Sequence, residues 1–231
     1  MKIKPKSRYY LGLISLFIVS ALVLTSCGGT KQVSQVADLP VEGQTSTDEP
    51  MKDETHPIFR VAFQPIVQTD PALISSDSEV FVANAVYDYL IDVDSKSKPV
   101  PRLALDWSVS DDGLLYTFNL ADYVTFHDGT PFSAADVVWT YDRLRNPDLG
   151  FATSSLYGNI ISIDAVDDHT VAFTLENPNP FFLYDLSDNH ALIIKNGTED
   201  ASDFNGTGPF VVTNYSPEDR IILEANPDYF L

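Results

Sequence analysis

Alternating apolar and polar positions are clearest over residues 114–120, which read LLYTFNL. A large apolar residue stands at every second position, which is the period of a strand with one buried face. The turn signal Asp111-Asp112-Gly113 precedes this strand and follows Trp107 and Val109. The pattern therefore predicts a β-hairpin.

A tight turn and a capped helix are predicted after the hairpin. Residues 126–132 (FHDGTPF) form the turn, in which Gly129 supplies a backbone conformation that other residues avoid. Ser133 stands three residues before Asp136, the spacing of a capping box. The helix ends at the Asn146-Pro147 pair. Its apolar stripe consists of Val137, Val138, Tyr141 and Leu144.

Shorter patterns predict the other elements of a mixed α/β domain. A strand begins at residues 60–63, and an amphipathic helix spans residues 82–90. A second hairpin runs through residues 161–175, and a short helix covers residues 180–186. Further strands are predicted at residues 191–194, 210–214 and 221–225.

Five segments, taken in order, resemble the peptide/nickel class of bacterial extracellular solute-binding proteins, the receptors of ABC importers for oligopeptides, dipeptides and related solutes. These segments are TDPA at 69–72, VYDYL at 86–90, the region from PRLALDW at 101–107 to FHDGTPFSAADV at 126–137, GTGPF at 206–210 and LEANPDY at 223–229. The resemblance covers residues 58–231. It implies a periplasmic-binding-protein-like fold (type II, peptide-binding class), with these residues as the first lobe and its small subdomain.

The family also has a second lobe, which supplies much of the pocket, including charged groups that hold peptide termini. We expect that lobe to be absent, because family members are more than twice as long and this chain stops at Leu231, inside a motif. Residues 58–231 are thus interpreted as the N-terminal lobe of a truncated receptor. A naturally small single-lobe lipoprotein is the alternative. One lobe cannot close over a solute, so residues 27–231 alone are expected to bind weakly or not at all.

Residues 1–26 predict a lipoprotein signal peptide. Four basic residues lie among the first eight positions, and an apolar run, short for a transmembrane helix, extends to Leu24. The run ends in Leu24-Thr25-Ser26-Cys27, which resembles the bacterial lipobox, so Cys27 is expected to carry the lipid. An ordinary signal peptide or membrane anchor with an incidental cysteine is the alternative. Residues 27–57 are polar and lack periodicity, which is typical of a flexible tether.

Acidic residues outnumber basic residues by 33 to 14 among the 231 residues. Without the four basic residues of the signal peptide, the formal charge is near −23. Nucleic acid and anionic lipid are therefore poor partners. Such acidity is typical of a solvated surface, and selection of cationic solutes is the alternative. The chain has one cysteine, which excludes an internal disulfide.

Candidate solute contacts lie in the loop after the first predicted strand, residues 64–72, because this loop faces the cleft between lobes in similar receptors. Gln64 and Thr69 are the polar candidates. Asp70 is a third candidate, although the Asp70-Pro71 pair also predicts a cap for the following turn.

The Gly206-Thr207-Gly208 segment contains two further candidates. It is not a dinucleotide-binding loop, because Pro209 follows it, a third glycine is missing, and the chain continues as a strand. In the family the segment lies near the crossing between lobes. Gly206 and Gly208 are therefore expected to let the backbone bend at a hinge.

No catalytic residue, metal site or cofactor is predicted. The His127-Asp128 pair lies between a strand and a capped helix, which indicates a structural turn. The other histidines lack zinc spacing, and the stretch from Asp92 lacks the glycine and glutamate of a calcium loop. The sequence also contains no nucleophile elbow and no Walker loop.

The resemblance implies a non-enzymatic lipoprotein that captures peptides or a related small solute outside the cytoplasmic membrane. It would deliver the solute to the permease and ATPase subunits of an ABC importer, as a lipid-anchored monomer on the periplasmic or extracytoplasmic face. A secreted hydrolase would need a nucleophile and a base, which these residues do not offer and which a missing half would have to supply. Two further functions stay open for such a chain, a surface lipoprotein with a sensor or structural role and a non-functional truncated receptor.

Overall fold

A computed structural model describes residues 58–217 and 219–231 of the chain. The elements in these residues are α1 (Asp77–Val86), β1 (Ile91–Val93), β2 (Pro99–Pro101), β3 (Ala104–Val109), β4 (Leu115–Leu120), α2 (Ala134–Leu144), β5 (Ile160–Asp167), β6 (Thr170–Leu175), α3 (Phe182–Asp185), β7 (Phe210–Ser216) and β8 (Arg220–Ala225). Short 3-10 turns supplement them. None of the helices in these ranges has the length and apolar character needed to cross a membrane. The predicted signal peptide, Cys27 and the tether lie outside the described residues.

The larger part of the fold is built on a four-stranded antiparallel sheet with the order β3-β4-β6-β5. The first predicted hairpin is confirmed, because Trp107 of β3 pairs with Phe118 of β4. Gly113 completes the turn at a φ of +71°, which would strain any other residue. The predicted alternation is confirmed as well, since Tyr116, Phe118 and Leu120 are all buried.

Helix α2 covers one face of this sheet and packs on β5 and β6. Its predicted start is confirmed, because the Asp136 carboxylate accepts hydrogen bonds from the Ser133 backbone N–H (2.8 Å) and hydroxyl (3.0 Å). The fully buried members of the predicted stripe are Val137, Tyr141 and Leu144. This stripe and the inner face of the sheet form the main hydrophobic core.

A second, smaller core lies where α1 meets the β7–β8 hairpin. Both strands of this hairpin agree with the sequence prediction, as does the hairpin of β5 and β6. Val82 and Val86 of α1 are buried in the second core together with Phe204. Ile66, from the segment that precedes α1, also belongs to this second core.

Three predictions of regular structure need correction. Residues 60–63 do not form a strand, because no described strand pairs with them. Residues 191–194 are buried, but the pairing described for them is one isolated β-bridge, between Leu192 and Tyr89. A run of apolar residues predicts burial, but it does not show that the segment pairs with a neighbouring strand. The helix predicted over residues 82–90 ends at Val86, where the backbone becomes extended.

Candidate functional site

The predicted solute loop, residues 64–72, leads into α1 of the folded domain. Gln64 is exposed, and Thr69 and Asp70 are half-buried. Asp70 is already engaged, because it accepts a hydrogen bond from the Ala72 N–H (2.9 Å) and forms an ion pair with Arg143 of α2. The side chains of Gln64 and Thr69 make no hydrogen bond to another described residue. Their contact with a solute stays a prediction.

A buried carboxylate fixes this loop to the start of α1. Glu79, which is only 4% exposed, accepts hydrogen bonds from the backbone N–H groups of Val67 (3.1 Å) and Gln68 (2.8 Å) in the loop. It also accepts from the N–H groups of Ser75 (2.8 Å) and Ser76 (3.1 Å) at the helix N-terminus. The S-x-x-E spacing in the sequence signals the capping box, but it gives no sign of the two bonds to the loop.

Burial raises the pKa of the Glu79 carboxyl, but the four backbone donors outweigh burial and lower it from an ordinary 4.5 to about 2. A pKa that is lower in the folded than in the unfolded chain stabilises the fold above about pH 4.5. This stabilisation is lost as the pH falls toward 2.

Glu79→Gln is therefore expected to lower the urea midpoint at neutral pH, with the difference from wild type shrinking as the pH falls from 4.5 toward 2. Urea titrations followed by tryptophan fluorescence at several pH values measure both effects. Glu199→Gln is the matched control, because Glu199 is exposed and should match wild type throughout. A difference that stays constant down to pH 2 would contradict the assignment.

Gly206 and Gly208 lie against the C-terminal end of α1. The Gly208 N–H donates a hydrogen bond to the Val86 carbonyl oxygen (2.8 Å). A Cβ on Gly208 would lie 2.6 Å from that oxygen, and one on Gly206 would lie 2.7 Å from the Val86 carbonyl carbon. Glycine is thus required at both positions by close backbone contact. The hinge role of the two residues stays a prediction.

The His127-Asp128 pair is in contact with this glycine segment. The His127 N–H donates to the Gly206 carbonyl (2.8 Å), and its Nε2 lies 3.0 Å from the Gly208 carbonyl oxygen. Asp128 forms an ion pair with Lys195 (2.6 Å). The predicted turn is confirmed by its own backbone, because the Gly129 N–H donates to the Phe126 carbonyl oxygen (2.8 Å). Residues 58–217 and 219–231 contain no cluster of three or more side chains suited to hold a metal ion.

Asp88 is the centre of a buried polar network that joins distant parts of the chain. Its side chain is fully buried and accepts hydrogen bonds from Arg102 Nε (2.7 Å), the Thr207 hydroxyl (3.0 Å) and the Tyr229 hydroxyl (3.1 Å). Asn226 adds a hydrogen bond to the Gly208 carbonyl (3.1 Å). We call this region the junction. The segments that meet there are 86–90, 101–107, 126–137, 206–210 and 223–229.

Two concave features lie near these elements. A cavity of about 10 Å³, lined in part by Thr69, Glu79 and Tyr87, is large enough for one water molecule and too small for a peptide. A groove of about 800 Å³ runs along α2 beside Trp139 and Phe151. Gln64 and Thr69 do not line this groove. Of the two polar candidates, Gln64 is thus exposed, and Thr69 lines the small cavity.

Comparison with known proteins identifies the class. The family described as bacterial extracellular solute-binding proteins, family 5 (middle part), matches residues 98–230, more than half of the chain. The probable D,D-dipeptide-binding periplasmic protein DdpA of Escherichia coli (strain K12) is 34% identical in an alignment 176 positions long, which covers 69% of this chain and 34% of that protein.

Solved structures agree in fold. The periplasmic binding protein DppA from Helicobacter pylori, in complex with the peptide STSA, matches with 28% identity and a TM-score of 0.61 over 70% of this chain and 37% of its own. NikZ from Campylobacter jejuni, in complex with Ni(L-His), matches with 30% identity and a TM-score of 0.64 over 72% of this chain and 34% of its own.

The fold is thus that of the type II periplasmic binding proteins, as the resemblance predicts. The chain belongs to the bacterial extracellular solute-binding proteins of family 5. It spans about a third of the length of the relatives that it matches.

Proposed function

We propose that this protein is a solute-binding component of an ABC importer and that it captures a short peptide or a related small solute. The observation that carries the proposal is the family match over residues 98–230. Among the similar proteins, DdpA is named for D,D-dipeptides, DppA was solved with a peptide, and NikZ was solved with a nickel–histidine complex. Such a protein captures and releases its solute without making or breaking a bond.

The proposed location is the outer side of the cytoplasmic membrane. Residues 1–26 would direct export, the lipid on Cys27 would hold the protein at the membrane, and residues 27–57 would act as a tether. Two or more acyl chains give a stable anchor where one is marginal. From there the protein, as a monomer, would deliver its solute to the permease and ATPase subunits.

The solute contacts are proposed to come from the loop at residues 64–72, with Gln64 and Thr69 as the contacting side chains. Gln64 is exposed and Thr69 is half-buried, and neither side chain makes a hydrogen bond to another described residue. Gly206 and Gly208 would lie near the crossing to the second lobe. Closure of two lobes would then bury most of the solute.

The test uses the native protein, extracted with detergent from its own cells. Intact mass is measured first, because it reports both the acyl chains and the length of the product. Calorimetry with an equimolar library of di- and tripeptides follows, and the best single peptide is then titrated. We expect an acylated Cys27 and, in a product that includes a second lobe, micromolar peptide binding, whereas residues 27–231 without that lobe should bind weakly or not at all. A Cys27→Ala variant should lose the lipid and keep the affinity. An unmodified mature protein that binds no library peptide would overturn the proposal.

A further inference from the structure

The solute loop has few contacts that could hold its backbone in one place. The Ile66 carbonyl accepts a hydrogen bond from the Tyr215 hydroxyl (2.8 Å), which fixes the start of the segment that follows Gln64. Beyond it, the Val67 and Gln68 N–H groups both donate to Glu79. Among the described residues these are the bonds that determine where the backbone lies just before Thr69.

A second anchor lies directly on the other side of Thr69. Asp70 forms an ion pair with Arg143 of α2 and accepts a hydrogen bond from the Ala72 N–H. These two contacts fix the orientation of its carboxylate within the folded domain. Thr69 therefore stands between two fixed neighbours, Gln68 and Asp70. Its own side chain is half-exposed and makes no hydrogen bond within the described residues.

We propose, on the basis of the solute loop proposed above, that Glu79 is a positioning residue whose carboxylate presents Thr69 to the solute. Asp70 is assigned the same positioning role, in place of the direct contact with the solute that the sequence predicts. Neither carboxylate touches the solute. Each one holds a backbone neighbour of Thr69 in place, so that the Thr69 hydroxyl is oriented before the solute arrives and less ordering is required on binding.

The experiment compares amide exchange and peptide affinity in the native protein and three variants. Glu79→Ala removes both carboxylate oxygens: Oε1 accepts from Val67 and Gln68, and Oε2 accepts from Ser75 and Ser76. Glutamine would keep one oxygen, which could still accept from the loop. Ser76→Ala is the matched control: it removes the hydroxyl that caps α1 but leaves the bonds from Val67 and Gln68 to Glu79. Thr69→Val removes the hydroxyl that is proposed to contact the solute and keeps the shape of the side chain.

We expect Glu79→Ala to speed amide exchange at Val67 and Gln68 by at least about tenfold and to weaken binding of the best library peptide by about tenfold. Exchange at Phe118 in the main core should not change. Thr69→Val should weaken binding to a similar degree with unchanged exchange, and the double variant should bind no worse than Thr69→Val. Ser76→Ala should leave both the loop exchange and the affinity unchanged.

The outcomes separate this proposal from the importer function. Unchanged exchange at Val67 and Gln68 in Glu79→Ala would overturn the positioning role, whether or not a peptide binds. Faster exchange with unchanged affinity would overturn it too, as would additive losses in the double variant. Peptide binding that is insensitive to Thr69→Val would overturn the role of the loop while leaving the importer function intact. A wild-type protein that binds no library peptide would overturn the proposed function and, with it, the presentation of Thr69.

Discussion

Asp88→Ala is expected to destabilise the fold by about 3 kcal/mol, because the buried Thr207 hydroxyl and the half-buried Arg102 and Tyr229 side chains lose their shared acceptor. The Arg102 guanidinium would lose its buried carboxylate, and the Thr207 and Tyr229 hydroxyls would lose their acceptor. Breaking a buried ion pair costs about 3–5 kcal/mol. The lower end of that range applies here, since the Arg102 side chain is 25% exposed and water can solvate part of its charge.

Asp92→Ala is the matched control for this prediction. Asp92 faces the same guanidinium, but its oxygen lies 3.7 Å from Arg102 Nη1 and its side chain is 37% exposed. Its removal should cost less than about 1 kcal/mol. Urea denaturation of both variants, followed by the fluorescence of Trp107 and Trp139, gives the two free energies of unfolding. Equal losses for the two variants would show that burial at Asp88 is not what stabilises the junction.

Gly206→Ala is expected to cost about 3 kcal/mol, the upper end of the range for overpacking. The added methyl group would meet the carbonyl group of Val86, which is backbone and held at the end of α1, so it cannot move aside as a flexible side chain could. The chain must shift either the helix end or the glycine segment. Both shifts disturb the second core around Val86.

Gly158→Ala makes the same chemical change where there is room. The nearest atom to its new methyl group would be 3.4 Å away, an ordinary van der Waals distance. We expect unchanged stability or a gain of up to about 1 kcal/mol, through lower entropy of the unfolded chain. Thermal unfolding followed by circular dichroism compares the two variants. Wild-type stability in Gly206→Ala would contradict the assigned backbone contact.

Local sequence signals predicted the elements whose partners are close in the chain. The hairpin closed by Gly113 and the helix capped by Ser133 depend on residues only a few positions apart. The strand expected at residues 60–63 failed for the opposite reason. Its alternation was strand-like, but a strand also needs a partner, and short-range patterns do not show whether one is present.

For the candidate site, too, the sequence predicts local properties and does not show contacts between distant residues. The sequence identified Gln64 and Thr69 as polar loop residues, and both are accessible. It could not show that Asp70 is taken up by Arg143, 73 residues further along the chain. Likewise, an isolated acidic residue such as Asp88 looks like any surface carboxylate until the fold surrounds it with three donors.

The Asp88 network also joins residues that are synthesised far apart in time. Asp88 is made 119 residues before Thr207 and 141 residues before Tyr229. The four-stranded sheet and α2 have been made by Leu175, when Asp88 still lacks two of its three donors, whereas the main core also includes Phe182, Leu186, Ala191 and Ile193. Contacts of such long sequence separation form slowly, because a large loop must close first. The junction therefore has its full set of hydrogen bonds only after Tyr229 has been made, and Arg102 is the one of the three donors that an emerging chain offers to Asp88 before Thr207.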